Sequence, residues 1–283
     1  MQATTAIVTD STAYIAKDVR AKLGIHMIPL SVLFGSEAYQ EEVDISAEAF
    51  YEKMAESDTL PTTSQPALGA FVELFTKLKD AGYKEVVTIH LSSKISGTYQ
   101  NALQAGEMVD GIDVYGFDSG ISCAPQAYFV EEASKLAQRG ERAEEIIERL
   151  EAMRSNIRAY FVVNDLKHLY RGGRLSSGQL VVGKLLKMKP VLHFEDGEIV
   201  PFAKVRTEKR ALQQIISMLE DDVVDGNEYR VSVIHAMREA KANEIATSIS
   251  KRFPNVTVEI GYFGPVIGTH LGEGSLGISW YRL

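Results

Sequence analysis

The feature that most constrains the fold is an alternation of short, β-branched apolar runs with helix-like stretches along the first half of the chain. The apolar runs cover residues 4–8, 25–34, 85–91 and 112–117. Helical patterns lie between and after them, at residues 15–23, 47–57, 68–81, 99–109 and 125–139. Strands that alternate with helices in this way predict an α/β fold, a parallel sheet with helices on both faces. Pro29 within the second run is typical of an edge or irregular strand.

The second half of the chain has a different sequence pattern, which begins after a charged helical stretch at residues 141–154. Asp196-Gly197 lies between two apolar runs, as is typical of a β-hairpin. Strands are predicted at residues 159–163, 229–235, 256–262 and 278–281, and helices at residues 207–219 and 240–252. The Gly-rich segment 264–277 predicts an exposed turn. We therefore expect an N-terminal α/β domain, residues 1–158, and a second smaller α+β domain with a mixed sheet, residues 159–283.

Composition limits the functions open to the chain. A formal net charge of −8 and a pI near 5.4 have the wrong sign for binding phosphate backbones, so no nucleic-acid partner is expected. The lone Cys123 excludes an intramolecular disulfide and a Cys-based zinc site, which favours a reducing cytoplasm. No phosphate-loop motif, metal-ligand motif or membrane-spanning apolar run is present. We expect a cytoplasmic monomer without metal, cofactor or transmembrane segment.

Polar residues end three of the predicted strands, at residues 10–11, 92–93 and 118–119. Open α/β sheets bind ligands outside the carboxyl ends of their strands, so these residues should gather along one edge. After residues 92–93 the chain turns through Ser96-Gly97 into a helix, which directs hydroxyls and free backbone N–H groups at one point. That arrangement is typical of an anion site. The alternative is an ordinary turn with Ser96 as the N-cap of the helix.

Three further segments carry candidate site residues. Residues 61–66, rich in hydroxyls, enter a helix, where capping and anion binding use the same N–H groups. Residues 171–174, with an arginine at each end, either meet an acidic ligand or form a solvated turn. His270 lies in the Gly-rich segment, where backbones approach ligands closely.

Positive charge is concentrated in one place in this acidic chain, at residues 204–210. Cations are not what a helix N-terminus prefers, so Arg206, Lys209 and Arg210 are candidates for binding an acidic partner. The alternative is a solvated start to a helix.

Together these segments resemble the DegV family of bacterial lipid-binding proteins. The match runs nearly end to end through residues 8–12, 63–66, 92–102, 118–119, 169–174, 189–190 and 264–270. One departure is Ala67, where many relatives have serine. Each motif is weak by itself, but their order and spacing are specific.

The resemblance implies a two-domain protein that holds one long-chain fatty acid between its domains. It implies that the fatty-acid carboxylate is held by Thr63, Ser93 and His270. Supporting ligand-binding candidates are Ser64, Ser92, Ser96, Gly97, Thr98 and Arg171. The best-understood members serve phospholipid metabolism as the fatty-acid-binding component of bacterial fatty acid kinase. They present the bound acid to a separate ATP-dependent kinase subunit, which converts it to acyl phosphate, so the chain would be a carrier and not an enzyme.

The acyl tail requires a long apolar tunnel, since each buried CH₂ contributes about 0.8 kcal/mol. Residues 180–186 and 191–192 are candidates for its lining, or belong to an ordinary core. Two other functions stay open. One is a small-molecule hydrolase or transferase with Ser93 as nucleophile and His270 as general acid or base, although the Gly-x-Ser-x-Gly motif is absent. The other is a DNA-interacting regulator, which the acidic charge disfavours.

Overall fold

The computed structural model describes residues 4–175, 189–224 and 226–283, which belong to two compact units. The first unit contains Met1–Asp44 and Thr63–Ser155. The second contains Ile45–Thr62 and Asn156–Leu283. Ile45–Thr62 thus belongs with the second half of the chain. No feature of the sequence marks a domain boundary at either end of this segment.

The first unit is built on a parallel sheet of four strands in the order β2-β1-β6-β7. Its strands are β1 (Thr5–Asp10), β2 (Ile25–Ile28), β6 (Glu85–His90) and β7 (Asp113–Asp118). Its helices are α1 (Lys17–Leu23), α3 (Leu68–Asp80), α4 (Thr98–Glu107), α5 (Ala124–Gln138) and α6 (Ala143–Arg154). The predicted α/β class is confirmed.

Side chains of the central strands alternate between two helix-covered faces. Ala6 and Val8 pack with Phe71 and Phe75 of α3, and α4 completes this core cluster. Helices α5 and α6 contact the strands from the other side, where Ile7 of β1 is also buried. Because both faces are covered, β1 and β6 are buried along their whole length, which is typical of parallel sheets.

The second apolar run forms two strands and not one. It divides at Pro29 into β2 and β3 (Ser31–Phe34), since proline cannot donate a hydrogen bond to a continuous ladder. β3 pairs with β4 (Glu37–Gln40), and β5 (Thr62–Ser64) completes a separate three-stranded sheet.

The second unit contains a mixed sheet of six strands in the order β10-β9-β8-β13-β11-β12. Its strands are β8 (Arg158–Val162), β9 (Lys189–Glu195), β10 (Glu198–Val205), β11 (Tyr229–His235), β12 (Val256–Tyr262) and β13 (Leu276–Arg282). Its helices are α2 (Ala47–Glu56), α7 (Lys167–Arg171), α8 (Glu208–Asp222), α9 (Glu239–Arg252) and α10 (Pro265–Leu271). The β9–β10 hairpin turns at Asp196 and Gly197, both with positive φ (50° and 82°), as a two-residue type I′ turn requires.

The prediction of an exposed turn at residues 264–277 is wrong for the first part of this segment, which forms helix α10. Gly264 is the N-cap, Pro265 occupies the first turn, and Gly272 ends the helix with a φ of 77°. Gly268 lies against α2, because a Cβ there would collide with Tyr51. The Tyr51 hydroxyl also donates to the Phe263 carbonyl (2.8 Å), so α2 is fastened to the second unit at two points.

Candidate functional site

The carboxyl ends of β1 and β6 are joined by a buried hydrogen-bond network. Asp10 Oδ2 accepts from the Leu91 N–H (3.0 Å) and from His90 Nδ1 (2.9 Å), and Asp10 Oδ1 accepts from the Thr12 N–H (3.0 Å). The other ring nitrogen of His90 lies 2.6 Å from Thr88 Oγ1. These polar side chains are completely buried. His90 is therefore a residue of the sheet whose two ring nitrogens both have hydrogen-bond partners.

The charge state of Asp10 follows from this network. Burial by itself raises the pKa of a carboxyl group, but the hydrogen bond and charge of His90 oppose it. Hydrogen bonds from Thr12 and the Leu91 N–H add to the opposing effect, and the pKa of Asp10 is lowered overall. The ionised carboxylate holds the start of the loop after β6 through its hydrogen bond from the Leu91 N–H.

The backbone N–H groups of residues 92–94, directly after β6, already have acceptors. The Ser92 N–H donates to the Ile121 carbonyl (2.8 Å), and the Ser93 N–H donates to Asp118 Oδ1 (3.2 Å). The Lys94 N–H donates to Ser92 Oγ (3.2 Å). At these three residues the N–H groups are therefore not available to a ligand.

The hydroxyls of this segment differ in their surroundings. Ser92 and Thr98 are completely buried. Ser96 Oγ lies 2.9 Å from Thr98 Oγ1 and accepts weakly from the Thr98 N–H (3.4 Å), so it fastens the start of α4. Ser93 is half-buried, and its hydroxyl forms no hydrogen bond within the described residues. Of these hydroxyls, Ser93 is the one best placed to meet a ligand.

The segment before α3 packs against the turn before α4. A Cβ on Gly97 would collide with the side-chain amide of Gln65. Asn101 Nδ2 donates to the Pro66 carbonyl (3.0 Å). The first unit thus brings together two hydroxyl-rich segments that are separated in the sequence.

Helix α3 begins at Leu68, and its N-cap is Ala67, which forms no side-chain capping bond. Capping by Ser64 or Gln65, the alternative to an anion site at residues 61–66, is therefore wrong. Ser64 is exposed and its hydroxyl donates to the next carbonyl (3.3 Å), while Thr63 in β5 is half-buried.

His270 lies in the last turn of α10, within the second unit. Its side chain faces α7, since a Cβ on Gly172 would collide with His270 Nδ1. His168 of α7 donates from Nδ1 to the Thr269 carbonyl (3.3 Å), which fixes α10 beside α7. The glycine at position 172 is therefore what admits the imidazole.

The imidazole of His270 is neutral at physiological pH. Burial, followed by the positive charge of Arg174 and the neighbouring His168, lowers its pKa from 6.5 to about 3. A neutral imidazole donates through one nitrogen without adding a full charge.

The two arginines of residues 171–174 are not equivalent. Arg171 is exposed at the end of α7. Arg174 is half-buried, donates to the Gly172 carbonyl (2.6 Å) and acts electrostatically on His270. The candidate named from the sequence is Arg171 and not Arg174, because only the fold shows which of the two arginines lies beside the imidazole.

The basic segment lies at the start of α8. Thr207 is the N-cap, and its hydroxyl accepts from the Arg210 N–H (3.3 Å). Arg206, Lys209 and Arg210 are exposed, and they form no ion pair with any residue that the structure describes.

In the described ranges 4–175, 189–224 and 226–283, no three His, Cys, Asp or Glu side chains form a group that could hold a metal ion. No helix in this part of the chain is both long enough and apolar enough to cross a bilayer.

The chain is similar to known proteins over its whole length. The family model of the uncharacterised DegV family matches residues 4–283. A DegV domain-containing protein of Halalkalibacterium halodurans is 56% identical over 276 residues, 98% of each chain. The crystal structure of DegV, a fatty acid binding protein from Bacillus subtilis, matches with a TM-score of 0.95 and 49% identity over 100% of both chains. A fatty acid binding DegV family protein from Streptococcus agalactiae matches with a TM-score of 0.90 and 33% identity over 98% of both chains.

Proposed function

Because the chain belongs to the DegV family, we propose that it binds a long-chain fatty acid and presents the carboxylate to a separate ATP-dependent kinase subunit, which forms the acyl phosphate. The ligand would lie between the two domains expected at residues 1–158 and 159–283. The observation that carries the proposal is the match, over the whole chain, to a solved fatty acid binding protein. The proposal includes a cytoplasmic location, a monomeric state and no catalytic residue in this chain.

In this proposal Ser93 and Thr63 supply hydroxyls to the carboxylate, and His270 supplies an N–H. The hydroxyl of Ser93 forms no hydrogen bond within the described residues, and its turn is held in place by surrounding acceptors. The low pKa of His270 keeps the imidazole neutral. Each hydrogen bond to the charged carboxylate contributes about 1.5–3 kcal/mol.

A cradle of neutral donors suits a carrier whose ligand must react. It binds the carboxylate chiefly through neutral donors, so an oxygen lone pair stays available as nucleophile. That oxygen attacks the γ-phosphorus of ATP on the kinase subunit, and the bond to the bridging oxygen breaks as ADP leaves. The chain itself holds the carboxylate in position and supplies hydrogen bonds to it.

The remaining candidates take supporting roles. Ser92 and Thr98 are buried and shape the turn, Ser96 fastens α4, and the small Gly97 admits Gln65. The exposed Ser64 and Arg171 are proposed as outer contacts with the head group.

The acyl tail supplies most of the affinity, at about 0.8 kcal/mol per buried CH₂ before the costs of binding. Of the candidate lining residues, Val191 and Leu192 are completely buried, and the two side chains point to opposite faces of β9. Residues 180–186 lie outside the described residues.

The kinase subunit is proposed to dock on Arg206, Lys209 and Arg210. These cations are exposed in a chain of net charge −8, so an acidic partner surface would be steered to them and away from the rest of the molecule.

The test is native mass spectrometry of the purified protein, followed by a phosphorylation assay with the partner kinase. We expect a retained mass that matches a fatty acid, and weaker retention and slower acyl-phosphate formation for Ser93→Ala and His270→Ala. The matched control is Ser248→Ala, an exposed serine on α9. A lipid-free protein that hydrolyses soluble esters, and loses this activity in Ser93→Ala, would establish the hydrolase instead.

A further inference from the structure

The polar pair that ends β7 contacts the candidate head-group turn, although the resemblance gives it no role. Asp118 Oδ1 accepts two backbone hydrogen bonds, from the Ser93 N–H (3.2 Å) and from the Gly120 N–H (2.9 Å). One carboxylate oxygen therefore joins the loop after β7 to the residue that carries the candidate hydroxyl.

Asp118 is itself held rigidly from α6. Arg154 donates from Nη2 to the Asp118 carbonyl (2.8 Å) and from Nη1 to the Ser119 carbonyl (2.9 Å). The same guanidinium lies over the ring of Phe117, 4.6 Å from its centroid. Three contacts of one arginine thus hold the backbone from which the Asp118 carboxylate projects.

The neighbouring amides have other acceptors. The Leu91 N–H is held by Asp10 and the Ser92 N–H by the Ile121 carbonyl. Removing the Asp118 carboxylate should leave the turn folded at those two amides and release only the N–H groups of Ser93 and Gly120.

We propose that Asp118 is a positioning residue for head-group binding, which acts by fixing the backbone of Ser93 so that its hydroxyl meets the fatty-acid carboxylate. This inference rests on the proposed function and adds to it a residue that never touches the ligand. A negative charge near an anionic head group is tolerated because two N–H groups engage the carboxylate oxygen.

The experiment is a double-mutant cycle with palmitate as the probe, measured by equilibrium binding to delipidated protein. Asp118→Ala should raise the Kd about tenfold in the wild-type background, the factor expected for one hydrogen bond to a charged group. In the Ser93→Ala background the same change should alter the Kd by less than about twofold, because the hydroxyl that it positions is gone. Asp118→Asn, which retains the acceptor oxygen, should bind within about threefold of wild type.

A matched control is Asp113→Ala, which removes an exposed aspartate at the opposite end of β7 and should leave the Kd unchanged. If Asp118→Ala does not fold, Arg154→Gln releases the Asp118 loop from α6 and should show the same dependence on Ser93. An equal effect in both backgrounds, or no effect in the wild-type background, overturns the positioning role. Failure of the wild-type protein to bind palmitate would instead overturn the proposed function, and this inference with it.

Discussion

Acidification should destabilise the second unit, and His270 should account for a separable part of the loss. We expect the free energy of unfolding to fall by about 2 kcal/mol more in the wild-type protein than in His270→Gln between about pH 7.5 and pH 5. Glutamine is similar in length and does not titrate in this range, so the difference between the two proteins isolates the proton of His270.

The magnitude follows from the surroundings of the imidazole. Burial, then Arg174 and His168, lower the pKa of His270 from 6.5 to about 3 in the folded protein. The unfolded chain keeps an ordinary pKa near 6.5, so at about pH 5 it binds almost one proton at this residue and the folded protein binds almost none. Stability rises with pH where the unfolded state binds more protons. The loss therefore begins below about pH 6.5 and reaches RT ln(1 + 10^1.5), about 2 kcal/mol, near pH 5.

Trp280 provides the assay, because it is the one tryptophan of the sequence and lies in the core of the second unit. Urea unfolding followed by its fluorescence reports on the unit that contains His270. Delipidated protein is required, since a bound carboxylate would raise the pKa of the imidazole. A constant difference between wild type and His270→Gln across the pH range would refute the reasoning, as would a histidine resonance of residue 270 that titrates near pH 6.5.

Three further predictions follow from the described contacts. Reversing the charges of Arg206 and Lys209 to glutamate should leave lipid occupancy intact by mass spectrometry but slow kinase-dependent phosphorylation, most strongly at low salt, where screening is weak. Gly172→Ala places a Cβ against the imidazole of His270 and should displace it, lowering stability by about 1–3 kcal/mol and weakening palmitate binding measured by titration. Ala67→Ser supplies the missing N-cap of α3 and should stabilise the first unit by about 1 kcal/mol, seen as a higher Tm by circular dichroism.

Each of these has its own control. Loss of lipid after the charge reversal would mean that the basic segment belongs to the pocket or the fold, and unchanged phosphorylation at every salt concentration would refute docking. Gly69→Ala, in α3 with open space around it, is the control for Gly172→Ala and should leave binding unchanged. An unchanged Tm for Ala67→Ser would show that the N-terminal N–H groups of α3 already have partners.

The sequence by itself determined the class of fold and most of its helices and strands. The alternation of short apolar runs with helical stretches predicted the parallel sheet. Asp196-Gly197 predicted a hairpin, and both turn residues have positive φ in the structure. Polar residues at the ends of β1, β6 and β7 predicted a gathering of side chains at one edge, which the buried bonds of Asp10 confirm. These properties are readable because backbone conformation depends on residues that are close in the sequence.

Only the tertiary structure decided which groups are available for chemistry. The N–H of Ser93 is occupied by Asp118, 25 residues away, and Asp10 meets His90 across 80 residues. His270 is neutral because burial removes water from its ring, and because the fold brings Arg174 and His168 close to it. Hydrogen-bond satisfaction, desolvation and electrostatic shifts arise from partners that are distant in the chain, and local pattern does not encode which partners meet.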